Sequence, residues 1–277
     1  MQAWHAGLPV GPSYAGQILT VLSSVLAAAV DDGLIARNPC RAASVQAPRL
    51  VRRKVVPWTS QQVATIGGAL AGNDYAPAGT GRFAAVVDCG AGLGMRQGEI
   101  LGLPVDQVDF LERTVHVRQQ IRFIAGKPVF APPKGQRERD VPLPESVSRA
   151  LAEHIRQYPP RKVTLPWRFL DGKPRACSLL FTGIRGAAVS RLAFNNHVGQ
   201  PARRAAGIPD GNGERTGMHQ LRHRYASVLL AGGVDIRALS EYLGHHDPSF
   251  TLRIYAHLMP GSDDRARRAI EKALSSA

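Results

Sequence analysis

Hydrophobic positions along this chain change their period several times, and each change marks an element. Over residues 15–32, Ile18, Leu22, Val25, Leu26 and Ala29 recur at helical spacing, with Gly33 as the stop and Asn38-Pro39 as a turn. Residues 41–56 hold no such period. There Pro48 and the basic residues Arg49, Arg52, Arg53 and Lys54 read as an extended linker, either a solvated connector or a strand along phosphates. Thr59 and Gln62 have the spacing of a capping box, which predicts a helix to about Leu70. An apolar stretch at Ala84–Cys89 leads into Gly90–Glu99. Between 105 and 142, Val108, Phe110, Val115, Val117, Ile121 and Val129 sit among turn residues and predict a small antiparallel sheet. Helical spacing returns over 145–157, the proline-rich and basic segment 158–178 reads as a loop, and a helix over 188–205 ends at Gly207.

The last third is helical with sharp punctuation. One helix is expected from about Met218 to Leu230, stopped by Gly232-Gly233. A second follows Asp235 as N-cap and ends at Gly244. A third starts at Asp247-Pro248, an N-cap followed by proline at the first helical position, and carries Tyr255. Residues 263–275 form a final helix with Ala266, Ile270, Ala273 and Leu274 on one stripe. The whole reads as α+β, mainly helical, and no internal repeat is seen.

Composition narrows the function. The 277 residues are 44% hydrophobic, enough for a real core. Lys and Arg number 35 against 21 Asp and Glu, a net charge of +14 that points to a polyanionic partner. Cys40, Cys89 and Cys177 lie far apart with no CxxC pair, so neither a zinc site nor a disulfide framework follows. The longest apolar stretch, Ile18–Val30, is too short to span a bilayer, and no signal peptide is read at the start. The expected location is the cytoplasm, with no membrane partner. No Walker A, HExxH or EF-hand pattern occurs, and Asp106/Asp109 and Asp263/Asp264 read as turn and cap residues.

The candidate chemistry lies in three segments. In His219-Gln220-Leu221-Arg222-His223-Arg224-Tyr225, His219 and Arg222 share a helix face, which suits a phosphate or merely a solvated basic surface. Downstream stand Leu243-Gly244-His245 and then Tyr255-Ala256-His257. A phenol has a pKa near 10, so a nucleophilic tyrosine needs nearby cations or a base. Upstream, Gly92-Leu93-Gly94-Met95-Arg96-Gln97-Gly98-Glu99 pairs Arg96 with Glu99 at i, i+3.

In order and spacing, HxxR, LGH and the tyrosine before a further histidine resemble the C-terminal signature of the tyrosine recombinase (phage integrase) family. Arg96 matches the family's first arginine, and Glu99 an acidic residue that orients the arginines. The family's β-hairpin lysine is best matched by Lys134, in Pro133-Lys134-Gly135, ahead of Lys127 in the preceding turn. Gln220 stands where aspartate is common. The resemblance implies a division into residues 1–40, the remnant of a truncated helical core-binding domain; 41–56, a basic linker whose Arg52, Arg53 and Lys54 would touch DNA; and 57–277, the catalytic domain.

It also implies a reaction without metal or cofactor. Tyr255 attacks a scissile phosphodiester in double-stranded DNA, giving a 3′-phosphotyrosyl link and a free 5′-hydroxyl. Arg96 and Arg222 stabilise the phosphate oxygens, and Lys134 protonates the leaving oxygen. His219 is acid/base toward the tyrosine, and His245 assists at the phosphate. The implied partners are attachment sites and, on DNA, a homotetramer with the C-terminal helix packing in trans. The implied role is integration or excision of a mobile element. Three rivals remain at this point: a type IB topoisomerase, a catalytically silent DNA-binding remnant of an integrase, and a helix-turn-helix regulator.

Overall fold

The computed structural model describes residues 2–46, 55–72, 80–208 and 217–259, with 267, 270, 271 and 273–275 near the C-terminus. The chain divides into two units, Met1–Lys54 and Val55–Ala277. Arg49, Arg52, Arg53 and Lys54, read as phosphate contacts, lie outside the described residues.

The first unit holds helices α1 (Gln2–Ala6) and α2 (Pro12–Asp31). Proline at the first turn of α2 costs nothing, because its missing N–H would have no helical acceptor there. At the other end, Gly33 turns left-handed at φ +72° and the Leu34 N–H returns to the Ala29 carbonyl. The Asn38 amide ties the following turn back to the Ser23 carbonyl at 2.8 Å. The α2 helix runs past both ends of Ile18–Val30. At 20 residues it is long and apolar enough to cross a membrane by length and composition, contrary to the shorter stretch read from sequence. Thr20 and Ser24 hide their hydroxyls by bonding the carbonyls one turn back, which lets polar residues sit in that helix.

The second unit begins with α3 (Ser60–Ala71), opened by the Thr59/Gln62 capping box, and α4 (Ala84–Leu93). A short α5 (Gln97–Leu101) follows. Strands β1 (Val108–Asp109), β2 (Thr114–Val117) and β5 (Arg139–Pro142) make an antiparallel sheet with β2 in the middle. A separate hairpin is formed by β3 (Gln120–Ile124) and β4 (Lys127–Ala131). Then come α6 (Glu145–Gln157), α7 (Arg191–Phe194), α8 (Gln200–Ala205), α9 (His219–Ala231), α10 (Ile236–Leu243) and α11 (Pro248–Tyr255). Ile66 and Leu70 of α3, Val86 and Leu93 of α4, Val115 of β2 and Leu221 of α9 belong to one buried core.

Two segments differ from the sequence reading. Residues 158–178, expected as a loop, contain a hairpin of β6 (Arg161–Pro166) and β7 (Pro174–Leu179), in register from Arg161↔Leu179 to Pro166↔Pro174. Two of the prolines that argued for a loop, Pro166 and Pro174, pair with each other at the turn end of the hairpin, where a missing N–H does least harm. Inward Val163, Leu165 and Leu179 pack on Ile121 and Phe130, a second small core. The helix expected over 188–205 is split by a wide turn at Asn195–Gly199. Pro201 supplies no N–H to a continuous ladder, and the chain takes a π-type turn before α8. Of the final predicted helix, Ala266 lies outside the described residues, while Ile270 and Leu274 are helical and exposed.

Candidate active site

The site is built where helices end. The carbonyls at the C-terminal end of α10 and just past it have no helical donors, and arginines from four places in the chain take them. Tyr242 O accepts from Arg139 Nε at 2.7 Å, and Leu243 O accepts from Arg222 Nη2. Gly244 O accepts from Arg96 Nη2, and His245 O from Arg137 Nη1, both at 3.3 Å. The Leu243-Gly244-His245 sequence allows this. Leu243 is buried in the core, and Gly244 turns left-handed at φ +60°, so that the His245 N–H closes back on Ser240 O. A Cβ at position 244 would meet Arg139 Cδ at 3.1 Å, on a backbone that side chains rarely adopt. The same device ends α4. Gly94, also at φ +60°, points its carbonyl at Arg222 Nη1, 2.7 Å away.

One carboxylate holds the guanidiniums together. Glu99 is fully buried at the third position of α5, and its Oε2 takes the Arg96 N–H at 2.8 Å, half of a capping box. Its oxygens also take both Nη groups of Arg139, at 3.1 and 2.6 Å, and Arg96 Nη1 at 2.9 Å. Burial works against the charged carboxyl, but Arg139, then Arg96 and Arg222, outweigh it and hold the group at about 2. Three guanidiniums around one carboxylate leave a surplus of two positive charges, which suits an anion such as a phosphodiester. Arg222 is 1% exposed; burial, then Arg96, pull it down to about 9, which leaves it charged at neutral pH.

The remaining predicted residues take distinct places. Arg96, Lys134 and His219 line an open cleft of about 790 Å³, together with Gln120, Arg122 and Arg191. Lys134 stands in the exposed turn between β4 and β5; Lys127, at the start of β4, is not in that lining. Arg222, His245 and Tyr255 do not line the cleft. Tyr255 is 1% exposed, and its hydroxyl lies 2.7 Å from His223 Nδ1. Burial pushes the phenol up to about 12, with Arg222 and Arg96 pulling the other way. Among the described residues, no group of three or more His, Cys, Asp or Glu side chains is arranged to hold a metal ion.

The tautomer of His245 follows from its partners. A guanidinium only donates, so Nε2, 3.1 Å from Arg222 Nη2, is the acceptor. The proton is therefore on Nδ1, which donates to Thr251 Oγ1 at 2.7 Å. Burial, then Arg222, Arg96 and Arg139, lower this histidine to about 3, so the ring is neutral at physiological pH. Thr251→Val removes the acceptor without changing shape and leaves a part-buried donor unpaired. We expect a loss of about 1–3 kcal/mol in urea denaturation, with Thr251→Ser close to wild type.

Four residues of this arrangement carried no role in the sequence reading: Arg137, Arg139, Thr251 and His223. Strand alternation places Arg139 on the inward face with Val141, and that was its available signal. His223 lies one turn beyond His219 on α9, with ring centroids 4.7 Å apart. Thr251 gave none, since its partner comes from the loop before α11.

Comparison with known proteins places this geometry among relatives. Residues 74–261 match the phage integrase family. The chain is 27% identical over 246 residues to a "tyrosine recombinase XerC-like" protein of Caldanaerobacter subterraneus, covering 84% of this chain and 59% of the relative. It is 26% identical over 281 residues to a Mycobacterium tuberculosis protein assigned as the phiRv2 prophage integrase, covering 98% of this chain and 66% of the relative. The chain thus spans about three fifths to two thirds of the length of these relatives. In fold it is similar to the Tn1549 transposon integrase bound to a circular intermediate DNA, with a TM-score of 0.76 and 19% identity over 98% of this chain and 83% of that one.

Proposed function

The chain belongs to the phage integrase family, and on that premise we propose that it is a site-specific recombinase that cleaves and rejoins duplex DNA through a 3′-phosphotyrosyl bond at Tyr255. The observation that carries this reading is the convergence of Arg96, Arg139 and Arg222 on one buried carboxylate, with the Tyr255 phenol within the field of Arg222 and Arg96. Such a surplus of fixed positive charge stabilises the extra negative charge that a phosphodiester gathers as a fifth oxygen approaches. Arg96 and Arg222 bind the non-bridging oxygens. His245 assists through the guanidinium it orients. Lys134, on the cleft wall, protonates the departing 5′-oxygen. His219, which lines the same cleft, completes the acid–base set. The phosphotyrosyl ester conserves the bond energy, so a 5′-hydroxyl, from the same or a partner strand, reverses the attack without ATP.

The substrate is a pair of double-stranded attachment sites, and the role is integration or excision of a mobile element, supported by the likeness to the phiRv2 prophage integrase. DNA as substrate puts the protein in the cytoplasm. Arg52, Arg53 and Lys54 contact DNA phosphates, and a homotetramer assembles on DNA. Exposed Ile270 and Leu274 support packing of the C-terminal helix on a neighbouring subunit.

Two assays test the reading side by side. The protein should exchange strands between paired sites in a two-site recombination assay. Relaxation of a supercoiled plasmid lacking such sites, without exchange, would instead make it a topoisomerase. DNA retention with steep salt dependence and no strand exchange would make it a catalytically silent DNA-binding protein. Arg222→Lys keeps a charge but loses the planar fork that bonds Gly94 O, Leu243 O and His245 together. We expect it to slow single-turnover cleavage by about 10²–10³.

A further inference from the structure

We infer that His223 is the group that takes the phenolic proton of Tyr255 when the tyrosine attacks phosphorus. The inference deepens the proposed recombinase reading and rests on it. A buried phenol must give its O–H to some acceptor. His223 Nδ1 lies 2.7 Å from the phenolic oxygen, in place to accept that bond when the ring proton is on Nε2, and both residues are buried. That distance is the reach a general base needs. Sequence position explains the placement. His223 follows Arg222 directly on α9, so the helix sends the arginine to the α10 carbonyls and the histidine to the end of α11. The two rings meet at 61°, with centroids 5.6 Å apart, which aims the phenol at the edge of the imidazole. His219, one turn earlier on α9, stands perpendicular to His223 and lines the cleft. The charged groups bearing on Tyr255 from other elements are Arg96, at the start of α5, and Arg222.

The step balances as follows. The Tyr255 O–H bond breaks and an N–H bond forms at His223 Nδ1, leaving an imidazolium. The freed oxygen pair bonds phosphorus, the P–O5′ bond breaks, and its electron pair leaves on O5′, which is protonated by Lys134. In the reverse reaction His223 returns the proton to the departing phenolate. His219, on the cleft wall, then acts on the DNA side.

The test uses the full chain and a nicked duplex that traps the adduct. His223→Phe keeps a ring and removes the acceptor. His223→Asn sets an amide oxygen near the place of Nδ1, which holds the phenol but cannot keep its proton. Each is made with tyrosine and with 3,5-difluorotyrosine at position 255, whose phenol ionises near neutral pH without a base. We expect both variants to slow adduct formation by about 10²-fold or more, and the fluorinated residue to restore at least tenfold in the variants while changing the wild type little. Either variant cleaving within threefold of wild type overturns the inference. Faster cleavage overturns it as well, because His223 would then be restraining the tyrosine. A slow, folded variant that the acidic phenol does not rescue makes His223 a packing residue. If His223→Phe does not fold, His223→Asn alone decides. Absence of an adduct in the wild type counts against the recombinase reading itself, so the two failures are distinguishable.

Discussion

Tyr255→Phe is expected to bind DNA as the wild type does and to form no covalent product at all. Phenylalanine keeps the ring that fills the core beside α9 and gives up only the hydroxyl. The fold should therefore persist, as measured by thermal denaturation. Alanine would be a poor choice there, since emptying a buried aromatic site costs about 3–5 kcal/mol and confuses lost chemistry with lost structure. The arginines that hold phosphate remain in place, so affinity and its slope against salt should be unchanged. Chemistry stops because the attacking oxygen itself is gone and no neighbouring group replaces it. Arg96, Arg139 and Arg222 have no lone pair to offer phosphorus, and His245 directs its nitrogens to Arg222 and Thr251.

The second large effect is on stability. Glu99→Gln is expected to cost about 3–5 kcal/mol in urea denaturation, because it removes the single negative charge from among three buried or part-buried guanidiniums. A glutamine can accept some of the same hydrogen bonds but cannot offset their repulsion. The pH dependence carries the same information. Glu99 titrates lower in the folded chain than its ordinary value of 4.5, at about 2. The unfolded chain therefore binds more protons in that window. The stabilisation is fully present above pH 4.5 and is lost as pH falls toward 2, an amount of about 3 kcal/mol. His245, neutral when folded down to about 3 against an ordinary 6.5, adds a second loss between those values as pH falls. Wild type should thus weaken steadily on acidification. Glu99→Gln should start weaker and lose less below pH 4.5.

Much of the fold was legible because its punctuation is local. The Thr59/Gln62 capping box, the Asp235 and Asp247 caps and the stops at Gly33, Gly207 and Gly244 act through a few adjacent residues, and each stands where the spacing put it. The β6–β7 hairpin was not legible. Its inward face is formed by Val163, Leu165 and Leu179, whose partners Ile121 and Phe130 are distant in sequence, and its flanking prolines point locally to a loop. The split at Asn195–Gly199 had a readable cause in Pro201, outweighed by apolar spacing.

The site divides along the same line. HxxR, LGH and the tyrosine are short patterns that resemble the family's and pointed to Arg222, His245 and Tyr255; Arg96 and Glu99 came from the family's first arginine and the acidic residue that orients it. Arg139 sits in the charged run Arg137-Glu138-Arg139-Asp140, which reads as solvent-facing. It is nevertheless the strongest partner of Glu99, because β5 turns every second side chain inward. His223 and Thr251 owe their places to contacts between α9, α10 and α11, which no local spacing encodes.

The measurement that tests the central claim most directly is to locate the covalent bond. The purified chain is incubated with nicked duplexes carrying candidate attachment sequences, the adduct is denatured and digested with trypsin, and the nucleotide-bearing peptide is sequenced by mass spectrometry. A 3′-phosphate-linked nucleotide on Tyr255, in the peptide that begins at Ile254, is the predicted result. DNA bound without any covalent peptide, or a nucleotide carried on any other residue, would contradict it.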